Sequence, residues 1–193
     1  MLFPAYHIIF DMSTLMLPKK LLAFSNMAII HFDDIEKIRK KHKGQKIIFC
    51  SGCFDVTHAG HVLFFEDCKK LGDVLVTMVG CDAVIKRDKG EKRPIINEHL
   101  RLKIIDSLKP VDYTFLDFIL PNPPHPLHII DLVVGKLRPD AYVINKDAWD
   151  IPFREDFTKK HNVPLIILDR TAPPEFDNVS TSKIIDKIKN MYK

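Results

Sequence analysis

The 193-residue chain lacks any uninterrupted apolar run approaching the roughly 18 residues that a membrane-spanning helix needs, so no membrane association is expected. Arginine is absent before Arg39, which argues against an organellar transit peptide. The start also lacks the basic opening and small-residue cleavage site of a secretory signal. There is no Gly-x-Gly-x-x-Gly, and with it goes the support for a dinucleotide redox role. Cysteine is scarce, at Cys50, Cys53, Cys68 and Cys81. Cys50 and Cys53 have Cys-x-x-Cys spacing, but a zinc site needs a second pair or two suitably spaced histidines, and a thioredoxin-like motif opens a helix directly. Reduced, partly buried thiols in a cytoplasmic protein are expected, with no metal held by protein side chains. A dense basic stripe is also missing. Net charge is +4 with pI about 8.8. The longest basic run, Lys37 to Lys46, reads as the solvated face and end of a short helix, so no nucleic-acid partner is expected.

What is present is an ordinary globular composition, 46% hydrophobic and 28% charged, sized for a single domain. Residues 1–30 read as an extension of unknown role and 31–193 as the domain. Met27 is late enough in the extension to serve as a start for the fold. The apolar run Lys46-Ile47-Ile48-Phe49-Cys50-Ser51 reads as a buried strand and Val62 to Leu71 as a helix. Asp73 to Val79 is a continuous apolar run, suited to a strand covered on both faces. A short helix follows, ending near Lys89-Gly90. Asn97 can cap a helix over 98–108, and Val111 to Leu116 is the next strand. Proline-rich 120–126 is an irregular loop. Helices over 127–137 and 153–161, strands over 141–144 and 163–168, and a last helix from Ser180 complete the alternation. Such alternation predicts an α/β, Rossmann-like, doubly wound parallel sheet of about five strands.

Between the first of these strands and its helix lies Gly52-Cys53-Phe54-Asp55-Val56-Thr57-His58-Ala59-Gly60-His61. Strand-to-helix junctions bind phosphate in α/β proteins, because unpaired N–H groups and the helix dipole point at an anion there. His58 and His61, three residues apart, add side-chain donors on one face of the first helical turn. Near the other end, Val179-Ser180-Thr181-Ser182-Lys183 places three hydroxyl residues at a helix start, which by itself is the pattern of a well-capped helix.

The 52–61 run resembles the Gly-x-Phe-Asp-x-x-His-x-Gly-His signature of the cytidylyltransferase-like nucleotidyltransferases, matching at Gly52, Phe54, Asp55, His58, Gly60 and His61. Ser180, Thr181 and Ser182 resemble the family's C-terminal Ile-Ser-Thr-Thr-like segment, which binds the triphosphate tail. Lys86 to Pro94 resembles the basic loop that reaches over the phosphates, and Asn97 to Arg101 the helix whose arginine faces them. The chain is most similar to the adenylyltransferase domain of ADP-heptose synthase, through Gly52 to Val56, Ala59 to Val62, Lys70 to Asp73 and Leu137-Arg138-Pro139-Asp140. Asn145-Lys146-Asp147 departs from the glycines usual there, and Arg170-Thr171 is more similar to glycerol-phosphate and ethanolamine-phosphate cytidylyltransferases. Class I aminoacyl-tRNA synthetases share the His-x-Gly-His turn, but their Lys-Met-Ser-Lys-Ser loop is absent.

The resemblance implies an enzyme that transfers a nucleotidyl group from an NTP, ATP by preference, to a sugar or polyol phosphate. Its alternatives are a CTP-dependent cytidylyltransferase and a non-catalytic nucleotide-binding protein of the same fold. It implies catalysis by His58, His61 and Lys89, and nucleotide binding by Gly52, Cys53, Phe54, Asp55, Gly60, Arg101, Ser180, Thr181 and Ser182. Mg²⁺ is the expected cofactor, carried by the phosphates, and a homodimer is expected.

Overall fold

The structure, a computed structural model, describes residues 28–120, 122–169, 172–176 and 179–192. A parallel sheet carries the domain. Its strands are β1 (Ala28–Ile29), β2 (Ile47–Gly52), β3 (Val74–Val79), β4 (Tyr113–Leu116), β5 (Ala141–Asn145) and β6 (Leu165–Leu168), in the order β1-β4-β3-β2-β5-β6. β2 and β3 are almost wholly apolar, interrupted by Ser51 and Thr77, because helices cover both faces. α1 (Ile35–Lys41), α5 (His128–Leu137) and α6 (Ile151–Lys160) bury Ile35, Val133, Val134 and Phe157 against one face. α2 (Ala59–Lys70) and α4 (Glu98–Asp106) bury Phe65, Cys68, Leu102 and Ile105 against the other. α3 (Asp82–Lys89) follows β3, and α7 (Thr181–Met191) closes the described chain.

The α/β, Rossmann-like architecture expected from the sequence is the one observed, with one strand more than anticipated. Ala28–Ile29 pairs with Tyr113–Thr114 of β4, and the Ile30 N–H donates to the Thr114 carbonyl at 2.9 Å. The sheet therefore begins inside the stretch assigned to the extension. A two-residue edge strand carries no readable periodicity; its pairing with β4 alone defines it. Met27 and the residues before it lie outside the described residues, as do Arg170 and Thr171.

β2 sits centrally. β3 and β4 were added on one side of it, and β5 and β6 on the other, so strand order reverses between β2 and β5. In open parallel sheets, ligands occupy the crevice outside the carboxyl ends of the strands at that reversal. The histidine turn leaves β2 at this point.

Candidate active site

α2 starts at Ala59, earlier than the apolar pattern suggests, because the two histidines build its cap. His58 is the N-cap residue, and its Nδ1 accepts from the Gly60 N–H at 3.1 Å. His61 reaches back, its Nδ1 accepting from the His58 N–H at 3.3 Å. This is the reciprocal logic of a capping box, carried by imidazoles. The rings stack with centroids 4.0 Å apart. Because each Nδ1 accepts, these hydrogen bonds assign each neutral ring as the Nε2–H tautomer, a donor at the atom away from the backbone. Gly60 gives the His58 ring room: a Cβ there would lie 3.0 Å from His58 Cε1 and 3.1 Å from its Nδ1, so the ring would have to shift.

The turn before the cap is held in an unusual shape. Phe54 and Val56 both have φ of +50°, in the left-handed region that costs a non-glycine residue of order 1 kcal/mol or more. This bend tucks the buried Phe54 ring beneath Gly52 and sets it edge-on to His61, centroids 5.5 Å apart. A Cβ at Gly52 would meet Phe54 Cζ at 2.8 Å.

Asp55, between the two left-handed residues, fixes the bend. Its side chain is almost fully buried, and Oδ2 accepts from Arg93 Nε at 2.7 Å and from the Ile95 N–H at 2.9 Å. Oδ1 accepts from the Ile96 N–H at 3.0 Å. Burial pushes this carboxyl's pKa up, but the Ile95 and Ile96 amides and the Arg93 guanidinium outweigh it and hold the group below the ordinary range. Asp55 thus ties the histidine turn to the loop that follows Lys89. Its main-chain carbonyl accepts from Thr181 Oγ1 at 2.7 Å, joining the start of α7 to the same turn. Ser180 caps α7, its Oγ accepting from the Lys183 N–H at 3.3 Å, and Ser182 is exposed two positions further on.

Arg101 departs from its expected place facing the phosphates. Its side chain is 0% exposed. Nε donates to the Ile96 carbonyl at 2.8 Å, and Nη1 to the Cys53 and Gly80 carbonyls at 2.6 and 2.7 Å. Nη2 pairs with Asp82 at 2.7 Å. With the guanidinium bonded on every side inside the fold, Arg101 buttresses the turn from beneath and presents no donor to a ligand. Lys89, at the end of α3, is exposed and close to Cys53. Burial raises the Cys53 thiol pKa, and the nearby Lys89 and Arg101 charges oppose that rise.

Two chain segments, 52–61 and 180–182, thus meet through the Thr181–Asp55 bond, with Lys89 beside Cys53. The match to a family model for cytidylyltransferase-like proteins spans residues 49–187, from inside β2 to inside α7, and so takes in both segments. The chain belongs to the cytidylyltransferase-like family. The expectation of a nucleotidyltransferase agrees with that membership. The family match is accompanied by similarity to curated proteins named bifunctional protein HldE. That of Helicobacter pylori (strain G27) is 37% identical over 150 residues, covering 77% of this chain and 29% of the relative. That of Campylobacter jejuni subsp. doylei is 37% identical over 152 residues, covering 78% and 29%. The chain therefore spans less than a third of the length of these relatives. Among solved structures, a lipopolysaccharide core biosynthesis protein from Thermoplasma volcanium is 28% identical with a TM-score of 0.53, over 67% of this chain and 99% of that one. A pantoate-beta-alanine ligase from Francisella tularensis shares the fold at 16% identity and a TM-score of 0.59, over 86% and 78% of the two chains.

The role of Arg93 leaves one local sign in the sequence, its position before Pro94 in the basic loop. No helix among the described residues is long and apolar enough to cross a membrane.

Proposed function

We propose that the protein transfers a nucleotidyl group from an NTP, with ATP favoured, to a phosphorylated sugar or polyol, releasing pyrophosphate. The observation that carries this reading is the Thr181–Asp55 hydrogen bond, which makes the histidine turn and the hydroxyl-bearing helix start two walls of one anion site. ATP and a sugar phosphate are favoured by the likeness to the ADP-heptose synthase adenylyltransferase domain and to the HldE proteins. The Thermoplasma protein's part in lipopolysaccharide core biosynthesis points to the same acceptor class.

An oxygen of the acceptor's phosphate attacks the α-phosphorus in line. The bond from that phosphorus to its β-bridging oxygen breaks, and pyrophosphate carries the electron pair away. The attacking phosphate is already anionic, so no protein nucleophile is required, and catalysis consists of positioning and charge stabilisation. His58 and His61 donate Nε2–H to phosphate oxygens as charge builds on them. The Cys53–Phe54 backbone and Gly52 border the cradle, Gly60 lets the His58 ring lie flat, and Asp55 holds the turn in shape. Ser180, Thr181 and Ser182, with the α7 N-terminus, bind the β/γ end. Lys89, beside Cys53, neutralises the departing pyrophosphate. Mg²⁺, where bound, supplies further charge neutralisation on the phosphates. The Asp55 carboxylate is occupied by Arg93 and two amides, which fits an ion carried by the nucleotide.

The test is to incubate the protein with Mg²⁺, each NTP in turn, and a panel of sugar and polyol phosphates, and to measure pyrophosphate. Release that requires both an NTP and one acceptor supports the reading. Nucleotide binding with no pyrophosphate from any pair would leave a non-catalytic binding protein.

A further inference from the structure

Trp149 is the only tryptophan of the chain, and it is 55% exposed. The loop that carries it is braced. The buried Arg154 donates Nε–H to the Trp149 carbonyl at 2.8 Å, and its Nη1 reaches the Tyr142 hydroxyl. That hydroxyl is 2.8 Å from Ser51 Oγ on β2. The Ala148 N–H closes a turn onto the Asn145 carbonyl at 2.9 Å. Asp150 follows with φ 52° and ψ 62°, a left-handed conformation it holds while capping α6 through the Phe153 N–H at 3.2 Å. Its cap and its contact with His125 hold it in that conformation.

The indole also has a parallel neighbour. His125, from the proline-rich loop, lies at 17° to it with centroids 5.8 Å apart, and stacks on Phe153 at 3.6 Å and 18°. Both His125 nitrogens are engaged: Nδ1 accepts from the Leu127 N–H at 3.1 Å, and Nε2 lies 3.0 Å from Asp150 Oδ2. The histidine therefore contributes a fixed ring and no polar edge to a ligand. Two loops widely separated in sequence have been built into a rigid aromatic shelf.

Its place in the sheet gives the shelf a ligand. Cys50 of β2 is level with Val143 of β5, and the same register carried on two residues sets Gly52 level with Asn145. The Trp149 loop thus leaves β5 beside the point where the histidine turn leaves β2, on the other side of the crevice at the strand-order reversal. The Asp150 carboxylate lies at the shelf, 3.0 Å from His125 Nε2, and its charge disfavours a phosphorylated acceptor there. A neutral planar ring meets no such penalty and gains stacking.

We propose that the Trp149 indole, braced by His125 and Arg154, is the stacking face for the base of the nucleoside triphosphate whose phosphates lie on the histidine turn. This rests on the nucleotidyl-transfer reading above. Stacking acts equally on bound substrate and transition state, so its loss raises KM and spares kcat.

The single tryptophan makes the test direct. Indole emission of the intact protein, excited at the red edge of its band, is followed while Mg·ATP, Mg·CTP or base-free Mg·tripolyphosphate is added. Saturable quenching by at least one nucleotide and none by tripolyphosphate is expected. Trp149→Ala should raise KM for that nucleotide roughly 10-fold or more, with kcat within about threefold of wild type, and Trp149→Phe should recover most of the loss. Equal quenching by tripolyphosphate, quenching by a sugar phosphate alone, or an unchanged KM in Trp149→Ala would overturn the assignment. Pyrophosphate release without any nucleotide-dependent quenching removes the shelf and leaves the transferase reading standing. The absence of both quenching and pyrophosphate removes the two together.

Discussion

Thr181 Oγ1 donates to the main-chain carbonyl of Asp55 at 2.7 Å across 126 positions of sequence. The hydroxyl that the local pattern assigns to helix capping is instead spent on the histidine turn, while Ser180 does the capping. Removing it separates the two walls of the site. Thr181→Val should lower kcat roughly 10-fold, since a single lost hydrogen bond is worth about 1 kcal/mol and the misplaced turn adds to that. Thr181→Ser, which keeps the donor, should stay within a few-fold of wild type. Equal kcat for the Val and Ser variants would detach α7 from the chemistry.

The histidines are expected to act in the transition state. His61→Ala should lower turnover by about 10²-fold or more, the scale seen when a donor to developing oxyanion charge is deleted, with nucleotide affinity less affected. Gly60→Ala approaches the same function by geometry, because its Cβ crowds the His58 ring from 3.0 Å. It should cost more in kcat than in thermal stability. A His61→Ala enzyme within a few-fold of wild type would remove the catalytic assignment.

Arg101 shows where local sequence stops being informative. The strands, helix caps and histidine turn were readable because they depend on residues a few positions apart: Asn97 does cap α4, accepting from the Leu100 N–H at 3.1 Å. Whether an arginine points outward to an anion or inward to carbonyls depends on what the tertiary fold brings beneath it. Here that is Cys53 and Gly80, 48 and 21 positions away. The Arg93–Asp55 pair, 38 residues apart, was hidden for the same reason, as was the His125–Trp149 contact. β1 is not legible in the sequence because two residues have no period.

The buried setting of Arg101 makes a prediction opposite to that of a phosphate ligand. Arg101→Met would leave three carbonyls and the Asp82 carboxylate without their donor, and breaking such a buried ionic hub costs about 3–5 kcal/mol. At roughly 2–4 °C per kcal/mol for a domain of this size, thermal unfolding should shift down by about 10 °C. An unshifted unfolding temperature together with a raised KM for the nucleotide would restore Arg101 to the phosphates.

Asp117, at the carboxyl end of β4, sets the pH behaviour of stability. It is 6% exposed. Burial pushes its pKa up to about 7, against the Phe118 N–H and Arg87, which lower it. The unfolded chain releases this proton near pH 4, whereas the folded protein keeps it until about pH 7. Between those values the native state binds more protons than the unfolded state, so stability falls as pH rises through the window and the loss is complete above it. Asp117→Asn keeps the shape and an acceptor for the Phe118 N–H, bonded at 2.6 Å in the wild type, and removes the titration. The variant should match wild type near the acid end of the window and exceed it above the upper end, by roughly 5 °C in unfolding temperature once the lost attraction to Arg87 is discounted. Paired thermal melts at the two ends of the window measure this. A variant destabilised equally at both would mean that the Asp117 carboxylate is held by partners that favour its charge.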